Sequence, residues 1–293
     1  MKYFRPNLSF IVFVLPSITN LLSYAQETDV NYKVTYVASE GFIVESGNKK
    51  IAIDAFPSRR FLYRQKVSKA IVDSMENANA PFNNIDIMFV THLHLDHFDP
   101  DLTIQHLESD TLTQLVCTKQ VYDIIKLLGG YYRVEDRIHP IQVDSGQSFI
   151  TTINNIQFKA MHTNHGPYFV KDTITGQKYN RHKNVNHIAY LIHLNGVNIM
   201  HTGDSHLRSK DEYAQYNLAK DSVDLLFTES LFWGKKLFDS RYDIVNNLIS
   251  PNHIVIMHLQ MGDDLSWVSQ EMKDAYPTLV FFNEPLQTRI FKK

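Results

Sequence analysis

Apolar runs of strand length recur along the chain from Tyr32 onward and alternate with longer amphipathic stretches. Residues 34–37, 41–45 and 50–55 read as successive strands, with Gly47-Asn48 as the turn between the last two. Residues 64–77 carry Val67, Ile71 and Met75 on one face, which predicts a single amphipathic helix. Residues 85–90 form a buried strand that runs straight into Thr91-His92. The pattern then repeats, with a strand at 114–118 and a helix at 120–128 stopped by Gly129-Gly130. Asp144-Ser145-Gly146 and Asn154-Asn155 punctuate further strands, one of them at 156–161. Asn195-Gly196 between the runs 188–194 and 197–201 is a hairpin signal. The last part alternates between strand and helix over 223–227, 242–249, 253–257, 266–275 and 278–282. Two strand-rich stretches moving into such alternation fit an α/β fold, with two sheets packed face to face and helices outside.

The first 25 residues stand apart. Lys2 and Arg5 precede a mostly apolar run over 8–22, and Ser23-Tyr24-Ala25 suits a cleavage site. This predicts a signal peptide at 1–25 and one domain over 26–293, exported to a periplasmic or extracellular address. The run is short and broken by Pro16, so no stable membrane insertion is expected after cleavage.

Size and charge narrow the options. A chain of 293 residues that is 44% hydrophobic can bury a substantial core. A net charge of −2 offers no basic face for nucleic acid. The only cysteine, Cys117, lies in the apolar strand 114–118, so no internal disulfide forms and the thiol reads as core. Histidine is the outlier, with 14 residues.

Four potential metal ligands fall within six residues in His92-Leu93-His94-Leu95-Asp96-His97, just past a buried strand. Imidazole and carboxylate together suit zinc and similar divalent ions. His92 and His94 can turn toward a first cation, and Asp96 and His97 toward a second. No Gly-x-Ser-x-Gly segment argues for a serine nucleophile.

This segment resembles the His-x-His-x-Asp-His signature of the metallo-β-lactamase superfamily, and the resemblance covers roughly Tyr32 to the C-terminus. It implies a four-layer αββα sandwich holding two divalent cations, with zinc the default. It further implies that Asp54, ending the strand Ile51-Ala52-Ile53-Asp54, orients the ligands from beneath. The third histidine would be His165, directly before Gly166, with His162 as the alternative and otherwise a pocket residue. Asp204, in Thr202-Gly203-Asp204 after the hairpin, would bridge the cations. His258 would close the set at the end of strand 253–257, with His253 the weaker choice. His206 reads as a solvated loop histidine or a pocket residue.

The implied reaction is hydrolysis. Paired cations lower the pKa of a shared water toward neutrality, and Asp96 belongs to the catalytic centre. Aspartate rather than cysteine at 204 resembles the lactonase-like, glyoxalase-like and phosphodiesterase-like branches, the lactonase-like branch most. The expected substrate is a small-molecule lactone, ester or phosphodiester. The alternatives are hydrolysis of β-lactams and a non-catalytic metal-binding protein of the same fold. The long segment 166–186 holds Tyr168, Phe169, Lys171, Lys178, Tyr179, Arg181, His182 and Lys183, which suit an anionic or ring-bearing substrate. Phe232, Trp233 and Lys235 could form another wall.

Overall fold

The computed structural model describes residues 30–207, 209–229, 238–259, 268 and 270–293. The signal-peptide reading at 1–25 and the wall residues Phe232, Trp233 and Lys235 lie outside them. Among the described residues, no helix is long and apolar enough to cross a membrane.

Two seven-stranded sheets form the centre. The first holds β1 (Asn31–Ala38), β2 (Gly41–Ser46), β3 (Lys49–Ile53), β4 (Ile87–Phe89), β5 (Gln114–Thr118) and β6 (Ile138–Ile141). The second holds β7 (Ser148–Ile153), β8 (Ile156–His162), β11 (Ile188–Leu194), β12 (Val197–His201), β13 (Leu225–Glu229), β14 (His253–Met257) and β15 (Leu279–Phe281). The short pair β9 (Phe169–Lys171) and β10 (Lys178–Asn180) stands alone, and β16 (Thr288–Lys292) returns to pair with β1. Each sheet begins antiparallel and becomes parallel, along β3-β4-β5-β6 and along β12-β13-β14-β15.

Side-chain alternation explains the layers. Along β11, Ile188, Tyr190, Ile192 and Leu194 enter the core between the sheets, whereas Ala189 and Leu191 pack outward. Along β3, Ile51 and Ile53 point inward and Ala52 outward. Phe42 meets Phe227 across the sheets with ring centroids 4.5 Å apart, and Phe89 meets Phe158 at 5.1 Å. Each such ring pair adds roughly 0.5–1.5 kcal/mol beyond its area burial.

The outer face of the first sheet is covered by α1 (Arg59–Arg64), α2 (Lys69–Glu76), α3 (Pro100–Ser109) and α4 (Lys119–Ile125), which contribute Leu62, Val72, Leu102 and Val121 to one cluster. The second sheet is covered by α5 (Lys210–Ala214), the π-helical turn Ile244–Ile249 that continues α6 (Phe238–Asp243), and α7 (Gln270–Ala275). The four-layer αββα sandwich is therefore present.

Local differences from the sequence reading have physical causes. The helix expected over 64–77 is present as the shorter α2, Lys69–Glu76, because Lys66 adopts φ 58° and Ser68 caps the helix by accepting from the Ile71 amide, and the separate α1 before it was not anticipated. The α3 helix was not anticipated, although Asp99 caps it and Pro100 opens it. The Asn195-Gly196 hairpin formed as expected, with φ of 46° and 84°.

Candidate metal centre

The candidate ligands gather where strands end. His92 follows β4, His165 follows β8, Asp204 follows β12 and His258 follows β14. Carboxyl ends of parallel strands form the crevice that α/β folds use for ligands.

Four side chains converge first. His94 Nδ1 lies 3.0 Å from His92 Nε2 and 3.0 Å from His165 Nε2. Asp204 Oδ2 is 3.1 Å from His165 Nε2 and 3.7 Å from His92 Nε2. Donors about 2.0–2.2 Å from one cation sit at such mutual separations. Burial and the neighbouring His97 push His92 well below its ordinary pKa. Burial, His165 and His97 bring His94 down to about 4. Both rings are thus neutral near pH 7 and have a lone pair to offer.

The second cluster is richer in carboxylates. Asp204 Oδ1 lies 3.0 Å from His97 Nε2. Glu40 Oε2 is 3.3 Å from the same nitrogen, and Glu40 Oε1 is 3.4 Å from His258 Nε2. Asp96 Oδ2 is 3.6 Å from His258 Nε2. Asp204 thus directs one oxygen at each cluster. Burial works against charge on Asp96, but hydrogen bonding from His258 and the nearby His97 bring its pKa down to about 2. Burial also opposes charge on Asp204, yet His97, His165 and His92 hold it well below the ordinary carboxylate range. Glu40 moves the other way, pushed well up by burial and by Asp204 beside it.

The donors fit cations by another criterion. Both Glu40 oxygens are fully buried and make no well-formed hydrogen bond, and His97 Nε2 and Asp204 Oδ1, likewise buried, have only each other at 3.0 Å. Polar atoms stranded in this way are costly. A divalent cation coordinated by them would satisfy all four.

The surroundings hold the ligands in place. Asp54 accepts from the Thr91 amide at 2.8 Å and the Thr91 hydroxyl at 2.6 Å, and its Oδ2 lies 2.7 Å from His97 Nδ1. Burial disfavours charge on His97, but Glu40, Asp204 and Asp54 outweigh it and raise its pKa well above the ordinary value. Gly203 adopts φ 52°, and a Cβ there would approach His187 Nε2 at 2.5 Å. Only glycine lets the turn present Asp204.

Of the sequence candidates, His92, His94, Asp96, His97, His165, Asp204 and His258 come together, with Asp54 beneath them. His162 does not join them. Its side chain lines a separate cavity of about 200 Å³ with Ile141, Asp144 and His187. His253 lies at the far end of β14, where Nε2 contacts the Lys292 carbonyl. The solvated reading of His206 is corrected: the side chain is buried, with Nε2 3.2 Å from Glu229 Oε2. Sequence reasoning missed Glu40 and Glu229 as members of the centre, whereas His182, expected in the substrate-selecting segment 166–186, places its ring centroid 4.1 Å from that of His165. The signal for Glu40 was a single acid between two apolar runs.

A buried histidine–carboxylate centre at the edge of an αββα sandwich defines the metallo-β-lactamase class. A family model described as "Beta-lactamase superfamily domain" matches residues 49–273, and the chain belongs to that superfamily of metal-dependent hydrolases. It is 24% identical over 247 residues to a UPF0173 metal-dependent hydrolase of Pyrococcus furiosus, covering 82% of this chain and 90% of the relative. Among solved structures, it resembles Igni18, a metallo hydrolase of Ignicoccus hospitalis, with TM-score 0.58 and 14% identity over 89% of this chain and 98% of the other. It also resembles the metallo-β-lactamase fold protein YhfI of Bacillus subtilis, with TM-score 0.58 and 12% identity over 91% and 100%.

Proposed function

We propose that the chain is an exported dinuclear hydrolase acting on a lactone, ester or phosphodiester of a small molecule. The observation that carries this reading is Asp204, which reaches a three-histidine cluster with one oxygen and the His97 cluster with the other. His92, His94 and His165 would hold one cation, and Asp96, His97 and His258 the other. Zinc is the default for the first. Bound there, the cations would supply Lewis acidity and a water of lowered pKa.

The protein's own groups do the positioning. Asp54 fixes the ring orientation of His97. Asp96, ionised at neutral pH and 26% exposed, can accept a hydrogen bond from a reacting water at the mouth. Its low pKa suits orientation rather than storage of a proton. Tyr168, Phe169 and Tyr179 are half or more exposed on the β9-β10 hairpin, alongside the exposed Lys171 and Lys178. His182 connects this hairpin to His165, its ring tilted at 39° against that of Tyr168 with centroids 5.5 Å apart. A ring-bearing or anionic substrate would be met from this side.

The test is cation analysis of the purified protein, combined with turnover of lactones, phosphodiesters and β-lactams. Two bound cations with lactone or phosphodiester hydrolysis, lost in His94→Ala, is the expected result. Two cations without turnover would identify a metal-binding scaffold. Turnover confined to β-lactams would overturn the substrate class.

A further inference from the structure

We propose that Glu40 is an additional protein ligand at the second cation position, and that it makes this position select a hard, oxygen-preferring ion such as Mn2+ while the three-histidine position takes zinc. The inference rests on the dinuclear reading above and deepens it.

The geometry comes first. Glu40 lies in the turn between β1 and β2 and is wholly buried. Its two oxygens face His97 Nε2 and His258 Nε2 at 3.3 and 3.4 Å, and neither makes a well-formed hydrogen bond. One carboxylate thus reaches toward both histidines of the second cluster. Donor atoms of Glu40, Asp204, Glu229 and His258 all lie within 4.8 Å of one another.

The turn is built to hold that pose. The Glu40 carbonyl accepts a hydrogen bond from His201 Nε2 at 3.0 Å. The Ser39 carbonyl accepts from the His258 amide at 3.1 Å, so the turn is fastened to the segment bearing a ligand. At Gly41 a Cβ would come 2.8 Å from the Asp54 carbonyl oxygen, so the backbone is pressed against the end of β3. A loose surface acid would need none of these constraints.

The chemistry follows from the donor count. The first position has three imidazoles and one carboxylate oxygen, a soft-to-borderline set suited to zinc. The second would have two imidazoles with the carboxylates of Glu40, Asp96 and Asp204, and Glu229 in reserve. Oxygen-rich sets of high ligand number favour manganese and its harder neighbours over tetrahedral zinc.

The experiment is competitive loading of the chelator-stripped full chain with Zn2+ and Mn2+. Bound ions are counted by elemental analysis, and bound Mn2+ is followed by electron paramagnetic resonance. The wild type should hold one zinc and one manganese. Glu40→Gln should keep the zinc and bind Mn2+ at least tenfold more weakly, whereas His94→Ala should lose the zinc and keep the manganese. Glu40→Asp retains the charge but retracts it by one methylene, and should also weaken Mn2+. If Glu40→Gln does not fold by circular dichroism, Glu40→Asp decides, and unchanged Mn2+ affinity in it overturns the inference. Zinc displacing manganese from the wild type overturns it too. A wild type that takes up no cation would sink the dinuclear reading itself. Two cations bound irrespective of Glu40 would sink this inference alone.

Discussion

Asp54 and His97 are joined by a 2.7 Å contact between carboxylate and Nδ1, wholly buried, in which the imidazole donates and the aspartate accepts. Asp54 adopts φ 47° at the end of β3, which turns its carboxylate under the histidine-rich loop. The bond fixes which nitrogen of His97 would face a cation.

Replacing Asp54 with Asn should therefore weaken cation binding at the His97 cluster by about 10- to 100-fold while leaving the fold intact. Isothermal titration of the stripped protein reads this directly. Binding as tight as in the wild type would mean that Asp54 only braces Thr91.

His165 and His162 sit three residues apart but meet different surroundings. His165→Ala should lose the cation of the three-histidine cluster and all turnover, and His162→Ala should retain both cations. Elemental analysis of the two variants distinguishes them. Equal losses would place His162 among the ligands.

Gly203→Ala should displace Asp204, because the new methyl must enter the space held by His187 and Thr91. The cost should be about 1–3 kcal/mol, the usual range for overpacking. Denaturant midpoints measure the stability, and cation stoichiometry should fall along with it.

His106 gives a pH dependence away from the centre. It is buried, its Nδ1 donates to the Met75 carbonyl at 2.7 Å, and its ring lies 4.6 Å from that of Phe56. Burial lowers its pKa below the ordinary 6.5. Below about pH 6.5 the unfolded chain therefore binds a proton there that the folded chain refuses. The stability tied to this group is complete above that pH and declines as pH falls toward the folded value. In the stripped protein, His106→Gln should flatten the slope of unfolding free energy against pH by up to about 1.4 kcal/mol per pH unit. Urea titrations between about pH 5 and 7 check this, and an unchanged slope would refute it.

Much of the layering was legible because alternation in strands such as β11 records which face is buried, and because Asn195-Gly196 fixes its hairpin. The histidine-rich loop was legible for a different reason: four ligands crowded into six residues have few other uses. What escaped had its cause in tertiary contact. Glu40 is one acid among apolar neighbours, and nothing local says that its carboxylate will meet His97 and His258. Glu229 reads as the end of a strand until His206 is seen beside it. The late start of α2 depends on the backbone of Lys66 and the Ser68 cap, although the apolar period already begins at Val67.

The candidate ligands come from both sheets. His92 to His97 leave the first, whereas His165, Asp204 and His258 leave the second. A cation held by both would be a clasp between the halves of the sandwich. Binding should then stiffen the whole molecule and not the mouth alone, with about 2.7 kcal/mol of added stability for each site filled at a hundred times its dissociation constant.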